Sequence, residues 1–426
     1  MRRRVAYSLA LLLASCFARP EPAVAQTAET VIEWNQALIT TLSTPGASDP
    51  NVFFTRPVAL LNVAMFDAIN SFGRVYTPYL GVVDVAADAS ADAAAAQAAR
   101  DVLVSMFPTQ RAIYDTLLTS QLSRVASGPA QRGAAAGAAV ARAILQRRAD
   151  DGWSRPPFSY ILPSLPGFWQ PVPPQNAAAT FAHYQDVAPF VVGSRYQFMP
   201  GAPPDLTSAR YAADFNQTKA IGSATSTTRT ADQTLIARLF AVVGTTTSIP
   251  AVWINLTRDL VRARALNGLD AARLYALVGV TEHDALLTSF AGKFQYGMWR
   301  PVTAIREADR DQNPATISDP GWLALIPTPP YPTYPGNYAC LASAVTRVFA
   351  RAFGRDDIPF SVTWAEANGP GWTRTYTRFT QVAEEAAMSR VYGGIHFDFD
   401  SHGGFAACLP VADYVYNNMF RRISPQ

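Results

Sequence analysis

Lysine is nearly missing from this chain. Among 426 residues and 35 basic side chains, only Lys219 and Lys293 are lysines. Charged residues make up just 16% and apolar residues 49%, so the composition excludes a disordered chain and fits a globular one with a large core. Cysteine is scarce too, with three in all. After the first 25 residues no apolar run is long and uncharged enough to span a membrane.

The N-terminus reads as an export signal. Arg2, Arg3 and Arg4 form a basic start, Val5 to Ala18 an apolar stretch, and Ala23-Val24-Ala25 a small-x-small cleavage site. A secreted or periplasmic protein is expected. Leu13-Ala14-Ser15-Cys16 resembles a lipidation site and gives the alternative of an anchored lipoprotein. Removing Arg2, Arg3, Arg4, Arg19 and Glu21 with the signal takes the formal charge from +3 to zero. A near-neutral chain gives no footprint for nucleic acid or an anionic membrane. Cys340 and Cys408 remain, and in an oxidising compartment they are candidates for a disulfide.

What is present is mostly helical periodicity. Apolar residues recur at helical spacing over 29–45 and 56–71, and helices also fit 88–106, 109–126 and 129–149. Asp150-Asp151-Gly152 stops the pattern. Residues 153–206 hold eleven prolines and many aromatics, which predicts extended chain pinned to the helices by Phe158, Tyr160, Phe168, Trp169, Phe181, Tyr184, Phe190 and Phe198. Helices then resume over 207–221, 229–244, 250–266, 268–298, 338–354, 376–392 and 403–420, with a proline-rich loop from Pro327 to Pro335 and weak strand signals throughout. The organisation expected is a signal (1–25), an N-terminal helical region (26–152), a connecting segment (153–206) and a C-terminal helical domain (207–426). The fold class is all-α, two packed helical bundles, with any anion pocket in the C-terminal one.

The chemistry-bearing residues fall between Lys293 and Asp400. Lys293 and Arg300 are seven residues apart, so both face one side if the helix runs on, and Pro301 marks its end or kink. By itself the pair also fits a snorkelling lysine and a helix-terminal arginine. Arg390 and His396 follow, beyond and around the Gly393-Gly394 break. Ammonium, guanidinium and imidazole groups together suit a tetrahedral oxyanion. His396, Asp398, Asp400 and His402 form a second pattern that could serve a metallohydrolase if it lay on a strand; on a helix its members split between two faces.

The order of these pieces resembles the bacterial vanadium-dependent haloperoxidases, which share a fold with type 2 phosphatidic acid phosphatases and bacterial nonspecific acid phosphatases. That superfamily carries Lys-x6-Arg-Pro, then Pro-Ser-Gly-His, then Ser-Arg-x5-His. This chain has Lys293-x6-Arg300-Pro301 and Ser389-Arg390-x5-His396. Trp299-Arg300-Pro301-Val302-Thr303-Ala304-Ile305-Arg306, Phe168-Trp169-Gln170-Pro171 and Gly394-Ile395-His396-Phe397 extend the likeness. The resemblance implies that Lys293, Arg300 and Arg390 bind the oxygens of vanadate or phosphate. His396 would coordinate vanadium, or attack phosphorus in a phosphatase, and no other metal is implied. Asp400 would orient His396, and Trp299 and Phe397 could line a substrate or halide pocket. Partners would be a small oxyanion with halide and peroxide, or a phosphoester.

The middle motif departs from the family. Pro335-Gly336-Asn337-Tyr338 stands where Pro-Ser-Gly-His is expected. Gly336 lacks the hydroxyl, though its N–H remains a donor at a helix start. Tyr338 replaces the acid–base histidine, and a phenol with an ordinary pKa of about 10 is a poor base near neutrality. Reduced turnover is therefore expected, with a non-catalytic anion-binding protein on the same fold as the alternative.

Overall fold

The computed structural model of the chain describes residues 28–47, 54–156, 158–241, 249–364 and 371–423. The export signal, its cleavage site and Cys16 lie outside these residues. The described chain is all-α apart from one hairpin. The N-terminal block holds α1 (Ala28–Ser43), α2 (Thr55–Gly73), α3 (Ala91–Met106), α4 (Arg111–Leu122) and α5 (Ser127–Arg147). The C-terminal block holds α6 (Ala209–Ile221), α7 (Ala231–Leu239), α8 (Ile249–Ala263), α9 (Gly268–Tyr296), α10 (Pro301–Arg306), α11 (Asn337–Phe353), α12 (Phe379–Tyr392) and α13 (Asp398–Asn418). Among the described residues no helix is long and apolar enough to cross a membrane.

Local chemistry starts several of these helices. Ser90 accepts from the Ala93 N–H and Ser208 from the Tyr211 N–H. Thr230 and Gln233 form a reciprocal capping box at α7. Asn267 caps α9 through the Asp270 N–H.

The two blocks share one helix. α9 is buried along nearly its whole length and packs against α1 and α2 on one side and α11 and α13 on the other. One continuous apolar core therefore runs from Trp34 and Phe66 through Tyr275 and Phe290 to Phe349 and Val415. A smaller cluster of Tyr211, Phe215, Trp299, Trp322, Phe397 and Phe399 lies beside it.

The connecting segment is held as its aromatics suggest, with two exceptions. Trp153 meets Tyr184, Tyr160 meets Phe294, and Phe181 meets both Phe290 and Tyr331. Backbone N–H groups of Phe190, Val191 and Val192 all donate to the buried carboxylate of Asp284 on α9. Phe158 and Phe168, by contrast, are 42% and 36% exposed.

The hairpin was not legible as strands. β1 (Phe360–Trp364) and β2 (Trp372–Tyr376) pair antiparallel, with Phe360 opposite Tyr376. Val362, Trp364 and Tyr376 face inward, while Ser361–Thr375 and Thr363–Thr373 hydroxyl pairs face out. Five residues per strand is too short for alternation to stand out. β2 also explains why α12 begins at Phe379, three residues later than periodicity alone suggests.

Candidate functional site

Lys293 and Arg300 meet, but not along a continuing helix. α9 ends at Tyr296, and Gly297 turns left-handed at φ 60°, with its N–H donating to the Lys293 carbonyl at 2.9 Å. The left-handed conformation favours glycine here, and a Cβ would also press on the side-chain tip of Leu162. Arg300 then has extended backbone, and Pro301 opens α10 at its first position instead of kinking α9.

The loop before α11 gathers both cations. Lys293 Nζ donates to the carbonyls of Pro332 at 3.0 Å and Thr333 at 2.6 Å. Arg300 Nε donates to the Tyr331 carbonyl at 2.7 Å, and the Tyr331 ring lies under both charges, 4.9 Å from the Arg300 guanidinium and 5.5 Å from Lys293 Nζ. Proline supplies no N–H, so this loop presents its carbonyls with few competing donors.

His396 completes the cluster from the turn between α12 and α13. Its Nδ1 lies 2.9 Å from Asp400 Oδ2 and 3.0 Å from Thr333 Oγ1. Its Nε2 lies 3.1 Å from Arg300 Nη1, which also donates to the Ile395 carbonyl at 2.9 Å. Burial first, then the charges of Arg300, Lys293 and Arg390, hold the imidazole well below its usual pKa, so it is neutral at pH 7. Asp400 accepts on Oδ2 from Thr333 Oγ1 at 2.6 Å and from the Phe397 N–H at 2.9 Å. Burial raises the Asp400 carboxyl to about 6 against those bonds and the Lys293 charge.

Arg390 enters from the last turn of α12. Its guanidinium lies 4.1 Å from the centre of the Tyr338 ring, and Nη1 donates to the Phe240 carbonyl at 2.9 Å. Tyr338 is half-buried at the start of α11, where burial raises its phenol pKa and the Arg390 charge partly offsets this. The phenol is thus a worse base here than in water.

Electrostatically the cluster is unbalanced. Lys293, Arg300 and Arg390 are all buried, and among the described residues none has a carboxylate within ion-pair distance. Burial, then the Arg300 charge, drives the Lys293 pKa well down, and burial takes Arg300 to about 10. Three buried donors also lack an acceptor: Arg300 Nη2, Arg390 Nε and Asn337 Nδ2. Buried cations and orphaned donors of this kind are ordinarily matched by an anion. Vanadate or phosphate fits that donor set; the unpaired Asp400 Oδ1 is the one acceptor that does not.

Several expectations need correcting. The Gly336 N–H is committed to the Asp400 carbonyl at 2.8 Å, because α11 and α13 approach closely there, and so it is not free for a ligand. Trp299 and Phe397 are core residues, 1% and 0% exposed, as expected of packing aromatics. The His396 to Asp400 stretch runs into a helix, so His396 and Asp400 point inward while His402 pairs with Asp398 at the surface, 3.3 Å away. Among the described residues no group of three His, Cys, Asp or Glu could hold a metal ion. His396, Asp398, Asp400 and His402 therefore do not converge on one metal ion. His283 serves the core, with Nδ1 3.3 Å from Thr55 Oγ1 and its ring edge-on to Phe190.

Thr333, Tyr331 and Asn337 hold places in the cluster that the motifs alone do not assign to them. Asn337 Oδ1 accepts from Ser289 Oγ at 2.7 Å, one turn before Lys293 on α9. Only the proline-rich loop hinted at them, as a place where free carbonyls and a helix start coincide. Cys340 of α11 and Cys408 of α13 do form a disulfide, with Cα atoms 5.1 Å apart.

Known proteins share this architecture. Residues 273–425 match the family described as the VCPO second helical-bundle domain. Vanadium chloroperoxidase of Curvularia inaequalis is 29% identical over 204 residues, a match covering 38% of this chain and 33% of that protein's length. The crystal structure of the first bacterial vanadium-dependent iodoperoxidase superposes with a TM-score of 0.78 at 22% identity, covering 95% of this chain and 100% of the other. The holo-type bacterial vanadium-dependent chloroperoxidase gives 0.71 at 14% identity, covering 93% and 98%. Lys293, Arg300, Arg390 and His396 all lie inside the region that matches the VCPO second helical-bundle domain, and the chain shares the all-α fold of the bacterial vanadium haloperoxidases.

Proposed function

We propose that this is an exported enzyme that binds vanadate or phosphate between α9, the loop before α11, and the α12–α13 turn, with turnover reduced by its altered middle motif. One observation carries the reading: three buried basic side chains, without carboxylate partners among the described residues, surround a neutral imidazole. Lys293, Arg300 and Arg390 would hold the anion's oxygens, and His396 Nε2 would meet its central atom. Vanadate, when bound, supplies the oxidation of halide by peroxide that names the relatives. For a phosphoester substrate, the same Nε2 lone pair would attack phosphorus as the ester P–O bond breaks and the departing oxygen takes a proton from solvent, water would then release phosphate from the nitrogen, and the cations would offset charge on the equatorial oxygens.

The chain's own groups define what it does well and badly. The cluster neutralises an anion and presents a lone pair. Proton transfer is its weak point, because Tyr338 with a raised pKa donates but does not accept near pH 7. General acid–base help is typically worth ~10²–10⁴ in rate. A second reading, anion binding without catalysis, is favoured by that residue and by the committed Gly336 N–H. Residues 1–25 support export.

Titration calorimetry with orthovanadate and with orthophosphate tests binding on the wild type and Arg390→Ala. Absence of heat from both anions with the wild type ends the proposal. Aryl phosphate hydrolysis, and bromination with peroxide and vanadate, then separate the two readings: turnover lost in His396→Ala establishes an enzyme, and no turnover leaves the binding protein.

A further inference from the structure

The geometry points to Thr333 as a positioning residue that fixes which nitrogen of His396 carries the proton. The inference rests on the reading of His396 as the group that meets the anion. Thr333 immediately precedes the cis Tyr334-Pro335 bond, in the loop that also binds Lys293 and Arg300, and it is fully buried. Its hydroxyl has one proton to give. At 2.6 Å from Asp400 Oδ2 that proton goes to the carboxylate. Toward His396 Nδ1, 3.0 Å away, the same oxygen can then only accept. Asp400 Oδ2, 2.9 Å from Nδ1, is an acceptor as well. Both neighbours of Nδ1 therefore require a donor, and Nδ1 carries the hydrogen.

The other side of the ring agrees. Nε2 faces Arg300 Nη1, a guanidinium nitrogen with only protons to offer. Nε2 thus keeps its lone pair, the form needed to meet phosphorus or vanadium. The Phe397 N–H fixes Asp400 Oδ2 from a third direction, so the carboxylate cannot rotate away while Thr333 is in place. Without the hydroxyl, Oδ2 loses its shortest bond and Nδ1 loses one of its two acceptors. The carboxylate and ring are then free to repack, and the Nε2–H tautomer becomes accessible.

The test uses the full chain with Thr333→Val, which keeps the shape, and Thr333→Ser, which keeps the hydroxyl. Nitrogen-15 NMR of histidine-labelled, anion-free protein reads the His396 tautomer directly, with His396→Gln for assignment. Calorimetry with orthovanadate and orthophosphate reads affinity. The wild type and the serine variant should show Nδ1–H with a bare Nε2. The valine variant should show a tautomer mixture and at least tenfold weaker anion binding, and Thr333→Ala substitutes if valine misfolds. A valine variant with the wild-type tautomer and affinity overturns the inference, as does a serine variant that behaves like valine. If the wild type binds neither anion but the tautomer responds as stated, the positioning role stands and the proposed function fails.

Discussion

Arg300 Nη1 stands 3.1 Å from His396 Nε2, a guanidinium directly against an imidazole with no carboxylate between them. The contact is favourable only while the ring is neutral; burial is the main reason the ring stays neutral, and Arg300 adds to it by placing positive charge where a second proton would sit. Cation and lone pair thus share one point in the cluster, which is where an oxyanion's oxygen and its central atom would each find a partner.

Replacing Arg300 by lysine should show that the fork matters and not the charge alone. The guanidinium donates to the carbonyls of Tyr331 and Ile395 and to His396 Nε2 at once, in fixed directions. A lysine ammonium cannot meet all three. Arg300→Lys should lose at least tenfold in orthovanadate affinity by calorimetry. It should also lose about 1–3 kcal/mol in denaturant unfolding, because buried carbonyls are left without donors.

Acid should destabilise the fold partly through His283. Burial, then the charges of Arg148 and Arg56, keep this imidazole well below its ordinary pKa. Its unfolded pKa is about 6.5. Above that value folded and unfolded chains are both neutral and the full stability is present. As pH falls below it, only the unfolded chain takes up the proton, so stability drops. His283→Phe, which keeps an aromatic ring against Trp153 and Phe190, should lose less melting temperature between pH 7 and pH 5 than the wild type. An equal or larger loss would show that His283 does not titrate on unfolding.

The Cys340–Cys408 disulfide should stabilise the fold and the site together. It closes a segment with a sequence separation of 68 residues, for which chain entropy suggests about 4 kcal/mol. It also ties α11, which starts beside Tyr338, to α13, which carries Asp400. The double alanine variant should unfold at lower denaturant and bind orthophosphate more weakly; unfolding midpoints and calorimetry measure the two effects.

Rebuilding the middle motif should work at one position and fail at another. Tyr338→His restores a base next to Arg390 and should raise turnover in the phosphatase or bromination assay, by up to ~10²-fold. Gly336→Ser should not help. A Cβ there would lie 3.1 Å from the Asp400 carbonyl oxygen and 3.3 Å from its carbon, both backbone atoms. Strain against the residue that holds His396 should lower stability and affinity, read by thermal melts and calorimetry.

The sequence by itself determined the helices and the chemical inventory. Helical spacing located α1, α2, α9, α11 and α12 to within a few residues, because amphipathic periodicity is a property of the local chain. The motif order named Lys293, Arg300, Arg390 and His396, and the missing Ser and His at Gly336 and Tyr338 were visible at once. Tertiary structure alone decided how those groups meet. Lys293 and Arg300 converge through the Gly297 turn and the carbonyls of Tyr331, Pro332 and Thr333, not along one helix face. Whether the Gly336 N–H was free depended on how closely α13 approaches α11. Thr333, one hydroxyl in a proline-rich loop, gained its place only when two segments 63 residues apart in sequence came to hydrogen-bond distance. Local pattern fixes which side chains exist and how each element forms; contacts between distant segments are set by packing, and a linear pattern does not encode them.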